Sequence, residues 1–406
     1  MTLRRRIPLK ITSITPRSNV LLILAMIVGF LWGCGDSRTP WDIHMDEADR
    51  FLRQREMAKA EAELKAALTE AEQFGEDDPR LPETLTKLAS LYEAQKAPDK
   101  AEPLLQRVMA IHERHDDQAA MAITLSRLGA VYHAKKDYAK ARSAFERALE
   151  LRQQTLGENH VDTVVDLKNL AAVYASQQQY DKAEPYLKRA LEITEQAVGE
   201  DDLALVESLN NLALLYRAQE RYDQAIPLLK RAIAINERVM GKESPGLVGS
   251  LKNLAVVYMT QGRYEQAEPL LKRVLAIHEQ AFGPDNPRLV PSLSNLADLY
   301  RVQGRYEQAE PLLQRAITIT EQKFGQDSPR LANLFNNLAL LYAAQDNLTE
   351  AESLMKRALT LHEQALGENH PTVVRVLRNY AALLRKSERN QEADAIESRI
   401  AKLEGS

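Results

Sequence analysis

The chain contains few residues of several kinds, and each shortage excludes a class of protein or site. Its only cysteine, Cys34, has no partner for an internal disulfide bond and no companions for a cysteine-based metal site. Its 53 basic residues do not exceed its 57 acidic residues, so the charge does not indicate nucleic-acid binding. The sequence has no phosphate-binding glycine loop and no nucleophile motif. We therefore expect no enzymatic activity, no cofactor, no nucleic acid and no small-molecule substrate.

The N-terminal segment 1–33 is organised as an export signal. Its basic side chains have no acidic counterpart. An uncharged stretch over 20–32 follows, and as a helix it would cover about 20 Å, which is short of the ~30 Å core of a bilayer. This length predicts a signal sequence over 1–33 rather than a membrane-spanning helix.

The end of this segment resembles a bacterial lipobox, in which a small residue precedes a lipid-modified cysteine. Leu31, Gly33 and Cys34 fit that pattern, whereas Trp32 is bulkier than usual at its position. The resemblance implies that Cys34 carries lipid and that 34–41 forms a short tether, about 20 Å long at full extension. An ordinary signal or an uncleaved anchor is the alternative.

The rest of the chain is built on one repeated pattern of fixed spacing. Tyrosines recur every 42 residues, as from Tyr132 to Tyr174. A small residue precedes each tyrosine by three positions, and an alanine follows each small residue by twelve. The series are Tyr132, Tyr174, Tyr216, Tyr258, Tyr300, Tyr342; Gly129, Ala171, Ala213, Ala255, Ala297, Ala339; and Ala141, Ala183, Ala225, Ala267, Ala309, Ala351. Such a period is typical of a solenoid, in which each unit buries its apolar face against its neighbours.

Each unit is predicted to form two antiparallel helices. Leu167, Ala171 and Tyr174 lie on one helical stripe, and a second stripe begins at Tyr180. The alanines are small because helix axes approach closely only where side chains leave room. We predict nine such hairpins in a solenoid over 42–406, near 42–78, 79–118, 119–160, 161–202, 203–244, 245–286, 287–328, 329–370 and 371–406.

The pattern resembles the tetratricopeptide repeat, which has small residues at its eighth and twentieth positions and an aromatic residue at its eleventh. The usual unit of that family is shorter than the spacing seen here. The longer unit, with Asn-Leu-Ala-x-x-Tyr at 253–258 and Tyr-x-x-Ala-Glu-Pro-Leu at 264–270, is similar to the kinesin light chain subclass. Over about 80–405 the resemblance implies an all-α fold, a right-handed superhelical α-solenoid of about nine hairpins that binds proteins.

An asparagine recurs two positions before the small residue in six units. The six are Asn169, Asn211, Asn253, Asn295, Asn337 and Asn379. Asparagine is a mediocre helix former, and its amide can donate to and accept from a peptide backbone. The resemblance implies that this face lines a concave groove and that these asparagines contact a bound peptide. The alternative is that each amide bonds a neighbouring helix.

The same face turns basic toward the last unit. Arg375 and Arg378 lie there, followed by Arg385 and Lys386. Because arginine forms charge-assisted bidentate bonds, this end could capture an acidic peptide or a C-terminal carboxylate. A solvated helix face is the alternative. Histidines do not add a metal site, since His112, His278 and His362 occupy equivalent positions of separate repeats.

These patterns favour a non-enzymatic interaction scaffold, exported to the bacterial cell envelope and anchored to a membrane through lipid on Cys34. It would bind a segment of a partner protein along the groove. Two alternatives stay open: a structural spacer or self-assembling solenoid, and a helper subunit that presents a substrate to an enzyme. Gly35 follows Cys34 directly, which leaves the choice between inner and outer membrane open.

Overall fold

The computed structural model describes residues 38–404. Cys34 and the predicted signal over 1–33 lie outside the described residues, so the lipid anchor stays a prediction. Across 38–404 the regular structure is entirely helical, with eighteen α-helices, three short 3-10 turns and no strand. This confirms the all-α fold of about nine hairpins. The chain divides into two compact units, one ending at Asp137 and one beginning at Tyr138.

The first unit contains five helices in its described part. They are α1 (Pro40–Gln54), α2 (Met57–Gln73), α3 (Arg80–Ala94), α4 (Pro98–Arg114) and α5 (Gln118–Ala134). Helix α1 packs on α2, and α3 packs on α4. The first turn of α1 is fixed by a capping box, because Thr39 and Asp42 satisfy each other's backbone N–H groups.

The second unit contains thirteen helices between 138 and 404, which pair into hairpins from α7 onward. They are α6 (Tyr138–Leu156), α7 (Val164–Ser176), α8 (Tyr180–Val198), α9 (Ala204–Ala218), α10 (Tyr222–Met240), α11 (Val248–Thr260), α12 (Tyr264–Phe282), α13 (Val290–Val302), α14 (Tyr306–Phe324), α15 (Leu331–Ala344), α16 (Leu348–Leu366), α17 (Pro371–Lys386) and α18 (Asn390–Glu404). Each odd-numbered helix from α7 packs on its successor, and each second helix packs on the next first helix.

Glycine and proline set the ends of these helices. Gly199 and Gly367 end α8 and α16 with φ angles of 86° and 84°, a left-handed region that glycine enters without strain. Pro371 occupies the first turn of α17, where a backbone N–H would have no intrahelical partner. The turns between hairpins therefore follow from the residues that the repeat places there.

The alanines predicted to mark close helix contacts are buried. Ala183, Ala225 and Ala267 expose no surface, and Ala213 and Ala255 expose at most 1%. Leucines from adjacent hairpins pack around them in one hydrophobic core that runs through the second unit. The burial agrees with the predicted role of these alanines in close helix packing.

On the second helix of a hairpin, an arginine bonds the end of the previous hairpin and the turn that follows it. Arg231 donates to Glu195 at 2.5 Å and to the carbonyl oxygen of Glu200 at 2.7 Å. Two repeats later, Arg315 donates to Glu279 at 2.5 Å and to the carbonyl oxygen of Pro284 at 2.6 Å. Arg273 makes the same pair of contacts in the repeat between them. This arginine clamp joins each hairpin to the turn before it.

A buried or partly buried polar residue recurs at one register of the second helices, from Arg152 to His362. Arg152 forms an ion pair with Asp166, which has no exposed surface. His278 lies 2.7 Å from the hydroxyl of Ser292, and Thr320 donates to a carbonyl oxygen of its own helix. His362, at the same register, exposes 5% of its surface and its Nε2 has no partner.

Candidate peptide-binding face

The six predicted asparagines lie on the first helices of six consecutive hairpins. Each is partly buried, because it directly precedes a large buried side chain and lies two residues before a buried alanine. This position is at the edge of the core. In chain order they are Asn169 on α7, Asn211 on α9, Asn253 on α11, Asn295 on α13, Asn337 on α15 and Asn379 on α17.

Four of these residues keep their hydrogen-bonding groups available, and we call them the open amides. They are Asn169, Asn211, Asn253 and Asn295. Their side chains form no hydrogen bond with any residue in 38–404. None of their atoms is among the buried, unpartnered polar atoms of that range, so water or a ligand can reach them. Each open amide can therefore donate and accept at once.

The last two asparagines form hydrogen bonds within the chain. Asn379 donates to the side-chain oxygen of Asn336 at 2.9 Å, and Asn336 donates to Asn337 of its own helix at 3.3 Å. Asn336 itself is 1% exposed, so these bonds satisfy a buried amide. Asn379 therefore follows the neighbouring-helix interpretation, Asn337 is bonded within its own helix, and the four open amides do neither.

A cavity of about 250 Å³ opens beside Asn211, between the hairpins α7–α8 and α9–α10. Its wall is mostly small or aliphatic because alanines of α7 leave space that larger residues would fill. Lys168 and Asn211 supply its polar rim, and Lys168 forms an ion pair with Glu207 at 2.7 Å. The other lining residues are Ala171, Ala172, Ala175, Tyr180, Leu187, Leu214, Leu215 and Ala218.

Unpaired positive charge lies near the open amides. Arg217 on α9 and Lys252 on α11 form no ion pair within the described residues, and each is partly exposed. Asp298, by contrast, is paired with Arg301 at 2.6 Å on the same helix. The face around Asn211 and Asn253 therefore combines amides with cations that have no anion of their own.

The predicted basic end makes its contacts inside this chain. Arg375 donates to Asn333 at 3.1 Å, and Arg378 forms an ion pair with Glu404. Arg385 contacts two carboxylates of α18, and Lys386 pairs with Asp346 at 2.6 Å. A ligand carboxylate would have to displace these partners at Arg378, Arg385 and Lys386. Binding by Arg375 and Arg378 stays a prediction.

Sequence reasoning missed a network that joins consecutive hairpins, which we call the acid network. Glu268 on α12 accepts from the hydroxyl of Tyr300 at 3.1 Å and from Arg305 at 2.6 Å, and it pairs with Lys272 at 2.7 Å. Arg305, with Lys272, lowers the pKa of Glu268 to about 2. The same arrangement surrounds Glu184, whose pKa is also lowered to about 2.

The last hairpin builds the same network with a different tyrosine. The sequence places Leu384 where earlier units have tyrosine. Tyr380, one helical turn earlier, takes over and donates to Glu352 at 3.1 Å. Lys356 and Arg389 complete the set, with Lys356 the larger cause of a Glu352 pKa near 2. The signal was available, because glutamate, tyrosine and arginine recur with the period of the repeat.

Residues 38–404 contain neither a metal-binding cluster nor a helix suited to span a membrane. No group of three or more histidine, aspartate or glutamate side chains in that range is placed to hold a metal ion. None of the helices of the described part is both long and apolar enough to cross a membrane.

The tetratricopeptide repeat family matches the chain in five stretches, two of which overlap. They are 48–114, 120–196, 166–238, 247–322 and 330–400. The chain belongs to the tetratricopeptide repeat family. Proteins with these repeats generally act as scaffolds that bind protein or peptide partners, and the repeat is typically not enzymatic. No curated protein matches the sequence.

Several solved structures resemble this chain at low sequence identity. Aspartyl phosphate phosphatase F from Bacillus subtilis is 16% identical, with a TM-score of 0.54, covering 92% of this chain and 95% of its own. Kinesin light chain-like repeats from Podosopora anserina are 24% identical, with a TM-score of 0.44, covering 50% and 95%. BtubC from P. vanneervenii is 24% identical, with a TM-score of 0.49, covering 58% and 93%. These likenesses concern the fold alone.

Proposed function

We propose that this tetratricopeptide repeat protein is a scaffold that binds a segment of a partner protein along the open amides. The observation that carries the proposal is the set of four asparagines that make no hydrogen bond within the described chain. These amides are reached by solvent and are not bonded within the described chain, so a ligand can take the place of water without breaking a bond inside the protein. A peptide backbone offers the matching donors and acceptors at regular intervals.

The surroundings of the open amides favour a particular kind of segment. The cavity of about 250 Å³ beside Asn211 has room for an apolar side chain. Arg217 and Lys252 have no ion pair of their own within 38–404 and would attract carboxylates of the ligand. An extended segment with one apolar anchor and flanking acidic residues fits this face. Its binding should weaken with salt, because the cations are exposed.

The same proposal includes a location in the bacterial cell envelope. The support is the basic leader, the short uncharged stretch over 20–32 and the lipobox-like end at Cys34. A lipid on Cys34 would hold the repeats close to a membrane. Replacing Cys34 with Ala should release the protein from membranes, and an unchanged membrane fraction would exclude the anchor.

Affinity capture from solubilised envelopes tests the binding face. The parent chain is compared with a variant in which Asn211, Asn253 and Asn295 are changed to Ala. A second variant, Asn379→Ala, serves as the matched control, because that amide bonds Asn336 instead of facing a ligand. We expect one partner to be retained by the parent and the control and lost by the triple variant.

The capture has two outcomes that would contradict the proposal. Equal retention by the parent and the triple variant would move binding away from the open amides. Recovery of the chain itself, with no other protein, would favour the spacer or self-assembling solenoid. Light scattering on the parent then distinguishes a monomer from a stacked array.

A further inference from the structure

Three acid networks hold a carboxylate between consecutive hairpins. In each, a glutamate on a second helix accepts from a tyrosine hydroxyl and an arginine of the next hairpin and pairs with a lysine one turn further along its own helix. The three glutamates are Glu184, Glu268 and Glu352. Each lies two repeats from the next, so every second hairpin from α7–α8 onward carries the complete network.

The intervening position on α10 has the donors without the acid. Ile226 occupies the register of the glutamate, yet Lys230, Tyr258 and Arg263 occupy the registers of the lysine, tyrosine and arginine. Ile226 is partly buried and packs against the core. The hairpins α9–α10 and α11–α12 therefore bring three donors together around a position where their neighbours hold a carboxylate.

The arginine at this position is already held in the pose that binds an acid elsewhere. Arg263 lies 4.5 Å from the centre of the Tyr258 ring and donates to Gln261 at 3.0 Å and to Gln266. Arg305, which binds Glu268, lies 4.4 Å from the Tyr300 ring and donates to Gln303 at 2.9 Å and to Gln308. The two arginines differ in their surroundings by the missing carboxylate.

None of the three donors has an anionic partner in the described chain. Arg263 and Lys230 form no ion pair, and the hydroxyl of Tyr258 makes no hydrogen bond within 38–404, although the residue is only 4% exposed. Charge-assisted bonds from arginine to a carboxylate are among the strongest in proteins, and a preordered donor set lowers the cost of forming them.

We propose that Lys230, Tyr258 and Arg263 form a binding position for a carboxylate side chain of a partner protein. The partner's Asp or Glu accepts from Arg263 and Tyr258 as Glu268 accepts from Arg305 and Tyr300, with Ile226 as the apolar wall beside it. The position is separate from the open amides: Tyr258 follows Asn253 by five positions, about 140° around α11. A partner could engage either surface alone.

The experiment uses the full chain with ¹⁵N-labelled arginine and follows the Nε–H resonance of Arg263, assigned with Arg263→Lys. The probe is the blocked peptide Ac-Ala-Ala-Glu-Ala-Ala-NH₂, beside its Gln counterpart at matched ionic strength. We expect a saturable shift with the Glu peptide and none with the Gln peptide. A third peptide, with no acidic side chain and a free C-terminal carboxylate, tests the other source of this chemistry.

The decisive variant is Ile226→Glu, which supplies the acid from within the chain. It should weaken the response to the Glu peptide at least tenfold, whereas Thr318→Glu, which adds the same charge at an exposed position of α14, should leave the response unchanged. Circular dichroism checks that both variants fold; if Ile226→Glu does not, Lys230→Gln replaces it with a weaker response expected. An unresponsive Arg263 in the parent would overturn the proposal. So would an equal response in Ile226→Glu, or a response to the C-terminal carboxylate alone.

Discussion

The middle and the end of the second unit treat their polar groups differently. From α7 to α14, the open amides and the Tyr258 hydroxyl form no hydrogen bond, and Arg217, Lys252, Lys230 and Arg263 form no ion pair, within the described residues. From α15 to α18, the equivalent groups are satisfied: Asn379 bonds Asn336, Arg378 pairs with Glu404, and Tyr380 bonds Glu352. The same repeat therefore has donors that can bond a ligand in one region and donors already bonded within the chain in the other.

The difference has a physical cause. Helix α18 carries acidic residues beside the arginines of α17, so Arg378 and Arg385 form ion pairs within the chain. In the hairpins from α7 to α14, Arg217, Lys252 and Arg263 form no ion pair with a described residue. These hairpins are therefore the region suited to an acidic ligand.

Acidification should have the largest effect on the stability of the fold. The pKa of Glu184, Glu268 and Glu352 is about 2, below the ordinary value of 4.5. A carboxyl with a lowered folded pKa stabilises the fold above its unfolded pKa, and this stability is lost as the pH falls from about 4.5 toward 2. At about 1.4 kcal/mol per pKa unit, the upper limit is about 3.5 kcal/mol per glutamate.

Urea unfolding between pH 5 and pH 2.5 measures this loss. Glu268→Gln in the middle and Glu352→Gln at the end should each lower the free energy of unfolding at pH 5 and flatten its pH dependence. Because both networks are complete, we expect similar losses. If only one variant loses stability, the networks of the two regions are not equivalent.

Overpacking the helix crossings should have the second largest effect on stability. Ala225→Leu places a larger side chain at a position with no exposed surface, which typically costs about 1–3 kcal/mol. Ala393→Leu makes the same change on α18, which packs mainly on α17 among the described residues, so its cost should be smaller. Thermal melts measure both. A parent-like melt for Ala225→Leu would show that the alanines do not set the packing.

Charge reversal should separate the two regions in binding. Arg217→Glu with Lys252→Glu should weaken a captured acidic partner about tenfold or more, which corresponds to about 1.4 kcal/mol. Arg378→Glu should change affinity much less, because Arg378 is paired with Glu404. Titration at two salt concentrations tests this. Stronger loss from Arg378→Glu would return the binding site to the basic end.

His362 should give the smallest effect. Burial, with Arg375 and His370 nearby, lowers its pKa below the usual 6.5, so the folded chain keeps it neutral. The unfolded chain then binds an extra proton, and stability should fall as the pH drops below about 6.5. His362→Thr copies Thr320, which bonds its own helix, and should stabilise by up to about 1 kcal/mol. Its melting temperature should also vary less between pH 7 and pH 5.5.

The sequence was a good guide to the fold because periodicity reports burial directly. The alanine series predicted positions that the structure buries completely, as at Ala183 and Ala267. The family match and the helix order confirm the repeat that Tyr174 and its equivalents indicate.

The site was less predictable from the sequence. All six asparagines look alike in the sequence, and only three-dimensional neighbours separate Asn211 from Asn379. The separation depends on Asn336, a residue without a counterpart at most equivalent positions. Likewise, the sequence predicts that Arg378 is a free cation, whereas in the structure Glu404 of α18 forms an ion pair with it. Contacts between distant residues decide which polar groups are free, and a period alone does not encode them.

The arginine clamp bears on how such an array changes length during evolution. Each clamp joins a residue to one turn located a single repeat earlier, as Arg231 does with Glu195 and Arg273 with Glu237. Deleting 203–244 as a block would bring Arg273 opposite Glu195, and the contact would re-form. A partial deletion would leave the arginine facing the wrong turn. Gain and loss of whole repeats are therefore the changes that this architecture accepts most readily.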